Sequence, residues 1–364
     1  MKILIASDAW HPQVNGVVRT LEATRDGLLA LGHDVRMLTP DRFRSMPCPT
    51  YPEIRLTAAM ASTITDFICE FAPETIHIAT EGPLGWHVRR FCTSRNIPFT
   101  TAFHTRFPEY VSDRVGIPTS WSYAFLRRFH RPAECVMAST PALQRELEER
   151  GFPKTALFSR GVDVNQFRPV EKTTQPTTSP ILLYVGRIAP EKNLDAFLSL
   201  PIEGEKVLVG DGPQRAALQA DYPDAHFVGT KTGEELARYY AAADVFVFPS
   251  KTDTFGLVML EALACGVPVA AYPVSGPVDV LAGRYIGAGE QDEQAIACLD
   301  TDLGAAIQTA LSLNRQTCRD YALTFSWEAC TRQFEDNLSP FDPALLKRRL
   351  PKRPTPITRF KKAA

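Results

Sequence analysis

At 364 residues, with 45% hydrophobic and 10% aromatic side chains, the chain exceeds one ordinary core and is expected to divide into two folded units. A formal net charge of −1 excludes a global electrostatic drive toward nucleic acid or membranes. The eight cysteines are scattered without a CxxC pair, which argues against a zinc site and leaves reduced thiols as the plain reading.

Met1 to Asp8 is apolar for only a few residues before Asp8 and His11. That is too short for a secretory h-region or a membrane span, and reads as a buried first strand, Ile3–Ala6. A loop from Trp10 to Gly16 follows. A helix is then expected from about Val17 to Leu31, stopped by Gly32, with the next strand at Asp34–Leu38. This βαβ pattern predicts a parallel sheet covered by helices. Gly16 at the helix start lets a diphosphate approach backbone N–H groups, or simply makes a tight turn. Further strands are expected near Thr75–Ala79, Phe99–Phe103 and Cys135–Ser139. Glu81 and His104 follow two of them, at the ligand edge of a parallel sheet. A lone histidine there is either structural or functional. Trp121 to Arg131 mixes aromatics and cations, which suits a membrane interface or a half-buried helix with a basic outer face.

Lys172–Pro180, rich in Thr, Pro and Gln, reads as a linker. A second α/β series begins at Ile181–Gly186 and continues through Lys206–Val209, His226–Val228, Asp244–Phe248 and Pro268–Ala271. These short apolar runs ending at Gly or Pro suit strands buried on both faces. Two doubly wound domains therefore face each other, with ligands expected beyond the carboxyl ends of the strands, in the cleft.

Within the second series, Gly186-Arg187 is followed five positions on by Lys192, so two fixed cations can reach one diphosphate. Asp211, between Gly210 and Gly212, accepts from a hydroxyl or caps the following helix; the cap is favoured. The block Asp253-Thr254-Phe255-Gly256-Leu257-Val258 through Glu261 follows an apolar run and opens a helix. A strand end, a glycine turn and a helix N-terminus together suit an anion. Asp300-Thr301-Asp302 matches a short DxD metal pattern, but with no preceding buried strand expected it reads as an N-cap. From Leu345 to Ala364 the chain is basic without acids, which suits anionic lipid or a tail without a partner.

Together these motifs resemble the retaining glycosyltransferases of family 4, over essentially the whole chain. They comprise Asp8 to Thr20, Phe103-His104-Thr105, Arg160-Gly161-Val162-Asp163, Gly186-Arg187 with Glu191-Lys192-Asn193, Val209 to Pro213, and Asp253 to Glu261. Within that family the chain looks most similar to enzymes that glycosylate lipids: sulfoquinovosyl-, glucosyl- or glucuronosyl-diacylglycerol synthases and related mannosyltransferases. The resemblance implies an α/β GT-B fold: residues 1–168 as an acceptor-side Rossmann-like domain, 169–335 as the donor-binding one, and 336–364 as a crossover back to the first domain plus a basic tail.

It also implies roles. Arg187 and Lys192 would neutralise the donor diphosphate without a metal, so no cofactor is expected beyond a nucleotide-diphosphate sugar as co-substrate. Backbone N–H groups around Gly16 and Phe255 to Val258 would bind the same phosphates, Gly186, Asp211 and Gly212 would belong to the donor-binding set, and Glu261 would accept from the ribose hydroxyls. Asp253, beside Thr254, would bind sugar hydroxyls, and His104 would sit beside the anomeric carbon. The chain departs from the family pattern at Asp253, where Glu is commoner, and at Asn15, where Gly is usual. The expected partners are a nucleotide sugar, with a UDP-sugar favoured over GDP-mannose, and a membrane lipid such as diacylglycerol. The other expected partner is an anionic membrane surface met by the basic tail and the Trp121–Arg131 segment, with no nucleic acid. The expected location is cytoplasmic, peripheral on the inner membrane face. A soluble saccharide acceptor, or a non-catalytic nucleotide-sugar binding role, are the alternatives.

Overall fold

The computed structural model describes residues 1–13, 16–43, 45–48, 51–57, 60–104, 118–170, 179–252 and 255–347. The first half begins with β1 (Lys2–Ala6), α1 (Gly16–Ala30) and β2 (Asp34–Leu38). Next come β3 (Ser45–Cys48), β4 (Tyr51–Thr57), α2 (Ala61–Phe71), β5 (Thr75–Ile78), α3 (Pro83–Arg95) and β6 (Thr100–Phe103). It closes with α4 (Thr119–His130), β7 (Cys135–Ala138), α5 (Pro141–Glu149) and β8 (Thr155–Leu157).

Six of these strands form one parallel sheet in the order β2-β1-β5-β6-β7-β8. Ile3, Leu4, Ile5 and Ala6 of β1 are fully buried, because helices cover both sheet faces. The antiparallel pair β3–β4 and the three-residue β8 were not expected from the sequence. Proline interrupts the apolar runs of the pair at Pro47 and Pro52, which weakens any strand signal.

The second half contributes β9 (Ile181–Val185), α6 (Asp195–Leu198), β10 (Glu205–Val209), α7 (Arg215–Asp221), β11 (His226–Gly229), α8 (Gly233–Ala242) and β12 (Val245–Phe248). Then follow α9 (Leu257–Ala264), β13 (Val269–Ala271), α10 (Ser275–Val280), β14 (Tyr285–Ile286), β15 (Ala297–Leu299), α11 (Leu303–Ala310) and α12 (Arg315–Ala322). Its seven strands are parallel, in the order β11-β10-β9-β12-β13-β15-β14.

α13 (Trp327–Asp336) packs back against the first half. Cys330, Phe334 and Leu338 join the core around Ile3 and Ile5, and Phe334 packs edge-on to His77 at 4.8 Å. Gly161 permits this contact, since a Cβ there would lie 2.6 Å from the Trp327 backbone nitrogen. Among the described residues no helix is long and apolar enough to cross a membrane.

Strand order reverses between β1 and β5 in the first sheet and between β9 and β12 in the second. Loops at the carboxyl ends diverge at such a reversal and leave a crevice. Gly186 and Ser250 stand at the second reversal, Asp8 and Thr80 at the first.

Candidate functional site

The second sheet supplies the cationic side of the cleft. A Cβ on Gly212 would lie 2.3 Å from the Ile188 carbonyl oxygen, so only glycine lets the β9 and β10 loops approach so closely. The Ile188 N–H donates to the Asp211 carbonyl at 2.9 Å, and the Tyr184 hydroxyl donates to the Arg187 carbonyl at 2.8 Å. These bonds pin the backbone that carries Arg187. A short turn, Pro190–Lys192, ends at Asn193 in a left-handed conformation with φ 54°. Asn193 Nδ2 donates to the Pro249 carbonyl at 3.2 Å, and Ser250 Oγ donates to the Glu191 carbonyl at 3.4 Å. The loop bearing Arg187 and Lys192, both half-buried, is thereby tied across the strand-order reversal to the loop after β12.

Phe255 is buried, and Gly256 with φ +82° turns the chain into α9. The N-cap residue Gly256 has no side chain with which to cap α9, so its first-turn N–H groups around Leu257 and Val258 suit an anionic ligand. Gly16, the first residue of α1, stands opposite: a Cβ on it would lie 3.6 Å from Leu257 Cδ1. Two helix N-termini, one from each half, thus meet at one place, and their dipoles favour an anion there. Asp253 and Thr254 lie outside the described residues.

Glu261 sits behind this point, 4% exposed. Arg19 Nη1 of α1 lies 2.6 Å from Glu261 Oε1, and the Tyr240 hydroxyl donates to Oε2 at 2.8 Å. Burial pushes the Glu261 carboxyl up from its ordinary range, while Arg19 and Tyr240 pull it down. Arg19 was missed in the sequence. Its available signal was its place three residues beyond Gly16, one turn into a helix whose start already lay at the ligand edge.

The first sheet supplies a different surface. His104 follows β6 directly and is 9% exposed. Arg160 Nη2 lies 2.9 Å from His104 Nδ1. A guanidinium only donates, so Nδ1 accepts and the ring proton resides on Nε2. Burial first, then the charges of Arg160 and His77, hold the imidazole well below its usual pKa. Burial also lowers Arg160, to about 10. Arg160 is fixed by donating to the Phe158 and Ser159 carbonyls, at 2.6 and 2.9 Å.

Other acids at this edge are engaged structurally. Asp8 accepts from the Leu84 and Gly85 N–H groups at 2.8 and 3.1 Å, at the start of α3. Glu81 pairs with buried His130 Nε2 at 3.1 Å, whose Nδ1 meets Thr101 Oγ1 at 2.9 Å.

Several expected residues lie apart from the convergence. Asp211 is exposed, accepts from the Gly212 N–H at 2.7 Å and pairs with Arg215 at 3.0 Å. The residue at the α7 N-cap position is Gln214, not Asp211. Asp302 caps α11 by accepting from the Gly304 and Ala305 N–H groups, as expected of this DxD sequence. A buried strand, β15, does precede it, correcting the expectation that none would; three residues are too short a run to read as a strand. In α4, Tyr123, Leu126, Phe129 and His130 are buried, whereas Trp121 is 74% and Phe125 50% exposed, beside exposed Arg128 and Arg131. The basic tail from Arg348 onward lies outside the described residues.

A family model described as Glycosyltransferase Family 4 matches residues 14–166, and one described as Glycosyl transferases group 1 matches residues 179–301. A GDP-mannose-dependent alpha-mannosyltransferase of Mycobacterium tuberculosis is 31% identical over 314 residues, 79% of this chain and 83% of that protein. Sulfoquinovosyl transferase SQD2 of Arabidopsis thaliana is 31% identical over 258 residues, 65% of this chain and 50% of that protein. Among solved structures, sucrose-phosphate synthase from Thermosynechococcus elongatus superposes with a TM-score of 0.73 at 24% identity, covering 92% of this chain and 97% of that one. That last likeness speaks for the fold.

Proposed function

Because the chain belongs to the family 4, group 1 glycosyltransferases, GT-B enzymes that move a hexosyl group from a nucleotide sugar, we propose that it transfers mannose from GDP-mannose to a membrane lipid or glycolipid with retention of configuration. The observation that carries the donor site is the meeting of the α1 and α9 N-termini at Gly16 and Leu257, in front of buried Glu261. The Mycobacterium tuberculosis relative supports the choice of GDP-mannose. A UDP-sugar with diacylglycerol as acceptor is the second reading; the identity to the sulfoquinovosyl transferase supports a donor sugar other than mannose.

In this reading the diphosphate lies between the two helix N-termini, with Arg187 and Lys192 neutralising the charge that grows as the sugar leaves. Preorganised cations and amides stabilise that charge more in the transition state than in the ground state, which is where rate is gained. Glu261 accepts from the ribose hydroxyls and Asp253 from sugar hydroxyls. His104, neutral with its proton on Nε2, donates to the sugar and does not serve as a general base. The acceptor attacks the face the diphosphate leaves, without a metal ion. The aromatic and basic outer face of α4, with the tail, would hold the enzyme peripherally on an anionic, cytoplasmic membrane surface.

A panel of GDP-mannose, UDP-glucose, UDP-galactose and UDP-glucuronate against diacylglycerol and glycolipid vesicles, read by mass spectrometry, tests this. Turnover with GDP-mannose, an α-linked product and insensitivity to EDTA are expected. Transfer only to soluble saccharides, with no sedimentation on anionic vesicles, contradicts the lipid acceptor.

A further inference from the structure

We propose that Arg19 is a positioning residue of the donor site, supplied by the first half of the chain, that keeps Glu261 ionised and aimed at the nucleotide ribose. The inference rests on the ribose role given to Glu261 above. It begins from a conflict: a carboxylate that is to accept from two hydroxyls must be charged, yet this one is 4% exposed. Burial alone favours the neutral acid, and a protonated carboxyl gives up accepting capacity by turning one oxygen into a donor.

The structure resolves the conflict with a group from the other side of the cleft. Arg19 reaches Glu261 Oε1 at 2.6 Å and keeps its guanidinium over the Phe167 ring at 5.8 Å. Phe167 meets Tyr240 edge-on at 5.6 Å, and the Tyr240 hydroxyl donates to Glu261 Oε2. Arg19, Phe167, Tyr240 and Glu261 therefore close a ring of contacts. An ionised carboxylate has about four acceptor positions. Arg19 and Tyr240 occupy two, leaving two for a ribose diol.

The other ionisable groups packed around α9 do not replace Arg19. From α12, Arg319 donates to the Phe167, Ala264 and Val164 carbonyls, and Arg315 to the Ala243 and Ala241 carbonyls. Cys265, at the C-cap of α9, is neutral, with burial pushing its thiol up to about 12. Tyr240 from α8 is also held protonated by burial. Arg19 is thus the cation in direct contact with Glu261 among the described residues. Because it comes from α1, the charge state of the ribose contact depends on the two halves standing together.

The test is calorimetric titration of the full-length protein with GDP, UDP and their 2′-deoxy forms from pH 5.5 to 8. Each variant is expressed as a ratio to wild type at the same pH, which cancels protonation of the diphosphate itself. Glu261→Gln is expected to weaken ribonucleotide binding about tenfold and to abolish the preference for ribose over deoxyribose. Arg19→Met is expected to retain that preference at pH 8 and lose it as the pH falls, its ratio dropping a further tenfold or so as Glu261 protonates. Arg19→Lys, which restores the charge, is expected to give a flat ratio. Asp279→Ala removes a different contact between the halves, with Thr140 Oγ1 at 2.6 Å, and is expected to leave the ratio flat. A pH-independent ratio in Arg19→Met, or one matched by Asp279→Ala, overturns the proposal while leaving the ribose reading intact. Wild-type ribose preference in Glu261→Gln overturns the ribose reading itself, as does wild-type protein that binds neither nucleotide. Should Arg19→Met fail to fold, Arg19→Gln serves the same comparison.

Discussion

Across the cleft, two surfaces built from the same doubly wound plan present opposite chemistry. The second sheet offers fixed cations at Arg187 and Lys192 and the glycine-capped N-terminus of α9, with Glu261 buried behind. The first sheet offers a neutral imidazole at His104, held so first by its burial and then by the charge of Arg160. Charge on the second sheet's side faces a surface where charge is suppressed. A leaving diphosphate needs the former, and a sugar approached by an uncharged hydroxyl suits the latter. The exception is Arg19, a cation that the first half sends to the second half's acid.

This contrast can be broken from either side. The largest effect is expected on the donor side: Lys192→Ala should lower kcat/KM about 10²- to 10³-fold, the usual cost of one charge-stabilising donor, in a steady-state transfer assay with the fold checked by circular dichroism. On the other side, Arg160→Met should lower kcat about tenfold at neutral pH and create an acid limb in the pH–rate profile. The sign follows from removing one of the forces that depress His104: its pKa rises, and protonation then removes activity as the pH falls. Equal effects of both substitutions, with no acid limb, would dissolve the contrast.

A smaller effect concerns stability. Burial lowers His77 from 6.5 to about 3. The unfolded chain therefore takes up a proton below about pH 6.5 while the folded chain does not, and stability falls with acid across that window. His77→Gln should flatten the decline by about 1.4 kcal/mol per pH unit, measured by denaturant titration between pH 6.5 and 5. Burial pushes Asp8 up to about 6, which acts oppositely below that pH in both proteins and cancels in the difference. The smallest effect separates a cap from a metal site: Asp302→Ala should cost about 1 kcal/mol in thermal unfolding and leave turnover unchanged.

Much of the cationic side of the cleft was legible in the sequence because its parts are local. Gly186-Arg187, Lys192 and Gly256 to Glu261 each lie within a strand end, a turn and a helix start, and the apolar runs before them mark the strands. The pairings were not legible. Arg19 with Glu261, and Arg160 with His104, join residues far apart in sequence, and neither arginine stands out until the fold brings it to its partner. The short strands β8, β14 and β15 escaped because two or three residues carry no usable period. Asp211 shows the converse: a motif position that the fold turns to its own loop and to Arg215.

A crystal structure of the protein with GDP or UDP is the most direct test of the central claim. The account predicts the diphosphate between Gly16 and the Gly256–Val258 amides, within reach of Arg187 and Lys192, with the ribose on Glu261. A nucleotide bound elsewhere, or one whose ribose avoids Glu261 while its phosphates leave both helix N-termini empty, would contradict it.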